Sequence, residues 1–150
     1  MSLFPSFRVL IISAALGLAL GAVSPAAPVS EFEVIVNAAA PVEQVTKADV
    51  ARFFLKKVRA WPNGQPVDPV DLGDDSPVRA AFSTTLLGKD VATVRGYWQQ
   101  QLYTGRGVPP VTKASDAEVT AYVAAHAGAI GYVSAGASLP AGVKVVKVAE

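Results

Sequence analysis

Apolar and polar residues along the chain recur at two spacings, which predict strands and helices in turn. FEVIVN at 32–37 is rich in branched side chains and predicts a strand. In TKADVARFFLKK, apolar residues recur at helical spacing behind Thr46, which predicts a helix with a threonine N-cap. WPNGQP has the composition of a turn and predicts the end of that helix. VDPVD at 67–71 predicts a second, short strand.

The same alternation continues after the second strand. Ser76 and Pro77 predict a helix start, because serine caps helices and proline fits the first helical position. The apolar residues of this helix recur every four positions, and Gly88 is expected to end it. Asp90 is expected to cap the next helix, which runs to about Leu102.

The last third of the chain predicts one more helix and the closing strands. SDAE at 115–118 is a capping box, in which the serine and glutamate side chains satisfy free backbone donors at a helix start. VTK at 111–113 predicts a brief strand, and AIGYV at 129–133 and VKVVKV at 143–148 predict the last two strands.

Alternating strands and helices predict an α/β fold, a three-layer αβα arrangement with a mainly parallel sheet covered on both faces. In such sheets, ligands collect outside the carboxyl ends of the strands. On this interpretation Asn37, at the end of the first strand, lies at the same edge as the 72–76 loop.

The amino-terminal part of the chain has the layout of a secretory signal peptide. Arg8 precedes VLIISAALGLALGAV, and small residues follow this apolar run. The run is shorter than the roughly 20 residues of a membrane-spanning helix. We therefore expect a signal peptide at 1–26, a linker at 27–31 and one domain at 32–150, located in the periplasm; an uncleaved anchor is the alternative.

Composition limits the function further. The chain has 13 basic and 12 acidic residues, so removing Arg8 leaves 12 of each sign and a formally neutral domain. Nucleic-acid binding needs a basic excess, which this domain lacks. Without cysteine, the chain cannot form disulfides, thiolate metal sites or a cysteine nucleophile. His126 is the single histidine, so no metal site, cofactor or catalytic residue is predicted.

Several segments together resemble a known family. The asparagine-ended first strand, FFLKKVRAWPNG, the serine-started helix and GAIGYV are similar to one lobe of the phosphate-binding component of bacterial phosphate ABC transporters, a type II periplasmic binding protein. The resemblance covers roughly 33–148 and implies a single lobe of a fold that normally has two. It also implies that a small oxyanion such as phosphate is the ligand and an ABC transporter the partner.

In that family, the resemblance implies, an arginine and a serine-glycine-threonine helix start hold the anion. Ser76 matches the serine of this motif. Pro77 stands at the glycine, Val78 at the threonine, and Leu72 about where the arginine belongs. Most of the motif's side chains are therefore replaced, and the second lobe is not expected in this chain.

The predicted ligand-binding residues are those that could still contact an anion at this edge. A helix start binds anions through free backbone N–H groups, but Pro77 has none and Ser76 occupies another as a cap. Arg79 is expected to turn back toward the anion and substitute for the lost donors. The predicted set is Ser76, Arg79, Asp75, Asn37 and Arg106.

Two functions remain open on the sequence alone. The first is an exported solute-binding protein that binds phosphate weakly as a single lobe, or more tightly when a homodimer encloses the anion. The alternative is a ligand-free interaction module that docks another periplasmic or membrane protein. Neither function is enzymatic.

Overall fold

A computed structural model describes residues 31–150 of the chain. The signal peptide and most of the linker predicted from the sequence lie outside these described residues. Between residues 31 and 150, no helix has the length and apolar character that a membrane crossing requires.

The described residues form seven strands and four α-helices. The four helices and five strand segments were predicted from the apolar spacing, whereas the short strand β2 was not. The strands are β1 (Phe32–Asn37), β2 (Gln44–Thr46), β3 (Asp68–Leu72), β4 (Val111–Lys113), β5 (Ala129–Ser134), β6 (Val143–Val145) and β7 (Lys147–Ala149). The helices are α1 (Lys47–Phe54), α2 (Pro77–Phe82), α3 (Val91–Tyr103) and α4 (Asp116–Ala125). A π-helical turn, Ser83–Leu87, continues α2 up to Gly88.

Five strands form the central sheet in the order β4-β3-β5-β1-β6. β3 is parallel to β4 and β5, whereas β1 is antiparallel to its two neighbours, β5 and β6. Four of the five strands therefore share one direction, and the mainly parallel α/β fold predicted from the sequence is confirmed. The reversed β1 was not predicted.

Helices cover both faces of this sheet. α4 packs on one face against β1, β3 and β5, while α1 and α2 pack on the other. On the α1 and α2 face, the rings of Phe82 and Tyr132 are stacked with centroids 3.8 Å apart. Phe54 and Phe32 approach the Phe82 ring edge-on. These aromatic contacts hold Phe82, the last residue of α2, against β1, β5 and α1.

The carboxyl-terminal strand prediction is wrong in one respect. VKVVKV forms two strands, because β6 pairs with β1 in the central sheet while β7 pairs in parallel with β2. Val146, between them, is buried. Alternating apolar residues predict an extended segment, but they do not predict that its two halves pair with different partners.

Candidate functional site

A cleft of about 210 Å³ opens at the carboxyl end of β3, between the start of α2, the end of α3 and the segment that leads into β4. Its charged lining consists of two carboxylates and two guanidinium groups. These belong to Asp71, Asp74, Arg79 and Arg95. Trp98 and Leu102 contribute apolar surface from α3. The cleft lies at the edge of the sheet where the fold predicts a ligand.

The Arg79 guanidinium group connects β3 to the loop before α2 at the base of this cleft. Its Nη1 donates to the carbonyl of Leu72 at 2.7 Å and lies 2.8 Å from Asp74 Oδ1. Its Nη2 lies 3.4 Å from Asp71 Oδ2. The Arg79 and Asp71 side chains are both buried, whereas Asp74 is half-exposed. The Arg79 guanidinium is therefore directed inward and already paired with two carboxylates.

Asp71 is the most deeply buried acid of the cleft. Its Oδ1 accepts hydrogen bonds from the Tyr132 hydroxyl and from the backbone N–H of Leu72. Burial raises the pKa of the Asp71 carboxyl above its usual range, and this effect is opposed by Arg79, Tyr132 and the Leu72 N–H. Burial and the neighbouring Asp71 charge raise the pKa of the Tyr132 hydroxyl. Tyr132 is therefore a permanent hydrogen-bond donor to Asp71 at neutral pH.

The start of α2 offers few donors to an anion. Ser76 is the N-cap, and its Oγ accepts from the backbone N–H of Arg79 at 3.2 Å. Pro77 has no N–H to offer. Of the first three helical positions, only Val78 retains a backbone N–H that the cap does not use. The capping role predicted for Ser76 is confirmed.

Ser76 and Arg79 are the two predicted ligand-binding residues that the structure brings together. The expected direction of the Arg79 side chain is wrong, because Asp71, Asp74 and the Leu72 carbonyl hold it inside the protein. Asp75 is exposed and does not line the cleft; its neighbour Asp74 does.

The placement of Asn37 at this edge is wrong. Because β1 is antiparallel to β5, its carboxyl end lies beside the start of β5, and Asn37 is at the opposite edge of the sheet. Its Nδ2 donates to the carbonyls of Val123 and Ala124 at 2.9 and 3.1 Å. Its Oδ1 accepts from the N–H of Ala39. Asn37 thus ties the end of α4 to the sheet.

Arg106 also lies outside the cleft. The loop that carries it precedes β4, and its side chain lines a separate groove with Lys56 and Arg59 near the start of β3. The structure therefore separates two of the five predicted ligand-binding residues, Asn37 and Arg106, from Ser76 and Arg79.

Sequence reasoning did not select Asp71, Arg95 or Tyr132 as site residues. Asp71 could have been selected from the sequence, since an acid in a strand beside buried Val70 and Leu72 needs a polar partner. Tyr132 carries a polar hydroxyl in the middle of the buried AIGYV strand, which is a similar signal. Arg95 had none, because its contact with Asp74 Oδ2, at 3.2 Å, depends on how α3 packs.

Chemically, the cleft is a balanced set of charges. Two guanidinium groups face two carboxylates, so the cleft does not concentrate positive charge as a dianion site would. Asp74 bridges the buried Arg79 and the half-exposed Arg95, and it can accept a proton from a protonated ligand. Within residues 31–150, no three His, Asp or Glu side chains are grouped as metal ligands.

The sheet order, with one reversed strand next to the last, defines a single lobe of a type II periplasmic binding protein. The model of the family described as "PBP superfamily domain" matches residues 27–149, so the chain belongs to this family. No curated protein matches the sequence significantly.

Solved structures with the same fold are described as phosphate-binding proteins. An ABC-type phosphate transport receptor from Vibrio cholerae superposes with a TM-score of 0.61 at 19% identity, covering 79% of this chain and 46% of its own. A Clostridium perfringens protein, described as a phosphate ABC transporter substrate-binding protein with bound phosphate, gives 0.62 at 20% identity, covering 79% and 44%. PstS from Borrelia burgdorferi gives 0.61 at 13% identity, covering 79% and 47%.

These likenesses establish the fold and the extent of the match. The chain spans less than half the length of these solved structures. At such identities, the ligands named for those proteins do not carry over to this chain without evidence from its own residues.

Proposed function

We propose that the protein is a non-enzymatic solute-binding protein of the phosphate-transport type, exported to the periplasm, which binds a protonated small oxyanion weakly in the cleft at the end of β3. Dihydrogen phosphate, the singly charged form of phosphate, is the proposed ligand. The observation that supports this proposal is the Arg79–Asp74–Arg95 chain of contacts at the ligand edge of the sheet. The comparisons do not favour a ligand-free interaction module over this function.

The charges of the cleft indicate the protonation state of the ligand. A fully ionised oxyanion is repelled by Asp71 and Asp74, whereas a P–OH group can donate to the half-exposed Asp74 carboxylate. Arg95, whose side chain is 55% exposed, is free to turn its remaining N–H groups toward the anion. The ligand that fits is therefore one that presents both an acceptor and a donor.

The expected affinity is low. One or two charged hydrogen bonds contribute about 1.5–3 kcal/mol each. Association costs at least about 4 kcal/mol. The net binding free energy is therefore at most about 2 kcal/mol, below the about 4.1 kcal/mol that corresponds to a dissociation constant of 1 mM, so a single copy of this lobe should bind phosphate with a dissociation constant of about tens of millimolar or weaker.

An NMR titration of the protein with inorganic phosphate tests the proposal. Shifts of the Asp74, Arg79 and Arg95 signals that grow through about tens of millimolar phosphate are expected. Arg95→Gln should weaken binding about tenfold, because it removes one charged hydrogen bond. Arg52→Gln is the matched control, since Arg52 is equally exposed and also paired with an aspartate, but lies outside the cleft.

No cleft shift at tens of millimolar phosphate would contradict the proposal. An equal loss of affinity in the Arg52 and Arg95 variants would contradict it too, because it would indicate nonspecific charge attraction.

A second copy of the chain is the proposed means of closing the cleft. Leu102 lines the cleft and is 52% exposed, and the next residue, Tyr103, is 93% exposed. Large exposed apolar side chains at a cleft mouth are typical of a contact surface. Sedimentation velocity should show phosphate-dependent dimers that Tyr103→Ser abolishes. A monomer at every concentration of protein and phosphate would contradict this part of the proposal.

A further inference from the structure

A second concave surface lies away from the cleft, at the amino end of β3. This groove, of about 420 Å³, runs between the end of α1 and the loop that leads from α3 to β4. Its size falls within the range of small-molecule sites. Phe53, Val58 and Val108 give it an apolar floor, together with three further residues, Pro66, Val67 and Pro69. We call it the basic groove.

Every charged side chain that lines the basic groove is cationic. These side chains are Lys56, Arg59 and Arg106. Within residues 31–150, none of the three forms an ion pair, the described ion pairs involving Arg52, Arg79, Arg95 and Lys144 instead. This differs from the cleft, where each guanidinium faces a carboxylate.

The charge of one carboxylate, Asp68, acts on Lys56 from outside the groove. Asp68 Oδ2 accepts a hydrogen bond from the Tyr122 hydroxyl at 2.6 Å, and Asp68 does not line the groove. Burial lowers the pKa of the Lys56 ammonium; the Asp68 charge opposes this effect and the Arg59 charge adds to it. An added anion would relieve the repulsion between Lys56 and Arg59.

The backbone holds the three cations around the groove. Lys56 has φ of 51°, and it is the one non-glycine residue in the left-handed region within 31–150. At this position, just after α1, glycine is the usual residue. Lys56 Nζ reaches across to donate to the Pro109 carbonyl at 3.2 Å. Gly107 brings the opposite loop close to the Arg59 guanidinium. A lysine in a conformation that favours glycine points to a role for its side chain.

We propose that the basic groove binds the phosphate group of an organic phosphate ester. Lys56, Arg59 and Arg106 contact the phosphate oxygens, and the organic part of the ligand packs on Phe53, Val58 and Val108. Guanidinium groups suit this ligand because their paired N–H donors match two phosphate oxygens. The site is separate from the proposed oxyanion cleft and does not depend on it.

Phenyl phosphate is the soluble probe, with an ester-bound phosphate and an apolar body. An NMR titration should shift the signals of residues 56–59 and 105–108. Lys56→Gly should weaken binding about tenfold while the melting temperature stays the same or rises, because glycine tolerates this backbone conformation. Arg106→Gln, in an exposed loop, should weaken binding similarly.

Two variants serve as controls. Lys57→Gln removes the same charge from the next residue, which is exposed and does not line the groove, and should leave binding unchanged. Arg95→Gln, in the cleft, should also leave phenyl phosphate binding unchanged. Its effect on inorganic phosphate then reports separately on the proposed function.

A second experiment distinguishes the two possible sources of the phosphate ester, a lipid headgroup and a free organic phosphate. Vesicles of phosphatidylglycerol, with phosphatidylcholine vesicles as the reference, present the ester in a lipid headgroup. Binding of both phenyl phosphate and anionic vesicles, each lost in Lys56→Gly, supports a site that accepts headgroups. Binding of phenyl phosphate alone supports a free organic phosphate. Binding of neither, or equal losses in the Lys56 and Lys57 variants, overturns the proposal.

Discussion

Arg79 shows how one side chain decides the character of the cleft. The chain places it four residues after the exposed Asp75, at the first turn of a helix, where it could face solvent. Instead it pairs with Asp71 and Asp74 and is only 7% exposed. A buried charge is tolerated when it is paired and hydrogen-bonded. Arg79 is therefore part of the framework that positions Asp74 and the start of α2.

Arg79→Gln should destabilise the protein by about 3–5 kcal/mol, because it leaves the buried Asp71 carboxylate without its cationic partner. Urea denaturation measures this change in the free energy of unfolding. Replacing both members, as Asp71→Asn with Arg79→Met, should cost less than Arg79→Gln alone, since no unpaired buried charge remains. A loss below about 1 kcal/mol for Arg79→Gln would contradict the framework role, because exposed substitutions stay within about 0.5 kcal/mol.

The residues that cap the helices were predictable from the sequence. Thr46, Ser76, Asp90 and Ser115 all cap helices as predicted, since each accepts a hydrogen bond from a backbone N–H three residues on. A cap depends only on its neighbours in the chain. The pairing of Arg79 was not predictable in this way, because it depends on where β3 places Asp71 relative to α2.

At the scale of elements, the spacing of apolar residues predicted the strand segments except the short β2, but it did not predict the direction of the strands. β1 is buried along most of its length, so its apolar run fits either a parallel or an antiparallel neighbour. Its antiparallel pairing with β5 moves Asn37 to the far edge of the sheet. The predicted position of Asn37 beside the cleft therefore depended on a strand direction that the sequence pattern does not contain.

Gly128 joins α4 to β5 and leaves no room for a side chain. A Cβ at this position would lie 2.1 Å from the Pro66 carbonyl oxygen, which is a backbone atom. The Gly128 carbonyl also accepts hydrogen bonds from the Trp61 indole at 3.1 Å and from the Asp68 N–H at 3.0 Å. The approach of these two backbone segments fixes the start of β3 beside β5.

Gly128→Ala should therefore destabilise the protein by about 1–3 kcal/mol or more, because the two backbone segments must separate. Gly96→Ala is the matched control. Gly96 lies inside α3 with nothing within 4 Å of an added Cβ, so this change should stabilise the helix by about 0.5–1 kcal/mol. Thermal denaturation of both variants measures the difference. Equal melting temperatures would show that the 128–66 contact can open without cost.

At the scale of the whole molecule, the two concave surfaces differ in their charge balance. The cleft at the carboxyl end of β3 pairs each guanidinium with a carboxylate. The basic groove at the amino end of the same strand holds three cations and no lining acid. A nearly neutral composition, as the sequence shows, therefore conceals an uneven distribution of charge. Composition excludes a basic protein, but it does not exclude a basic site.

The buried Asp71 carboxyl makes the stability of the whole domain depend on pH. Burial raises its pKa above the ordinary value of 3.8, so the folded protein retains this proton at a pH where the unfolded chain has released it. The stabilisation is fully present below the pKa of the unfolded carboxyl and is lost as the pH rises through the folded value. Asp71→Asn removes this titration, because the amide does not ionise.

The free energy of unfolding of wild type minus that of Asp71→Asn should therefore decrease as the pH is raised from about 4 to 7. Urea denaturation at several pH values in this window, at constant salt, gives the difference directly. The subtraction cancels the titration of groups that the two proteins share. An increase of the difference with pH would show the opposite sign, in which the attraction of Arg79 outweighs burial and lowers the folded pKa below that of the unfolded chain. The sign of this pH dependence thus decides whether burial or the Arg79 charge has the larger effect on the pKa of the folded Asp71 carboxyl.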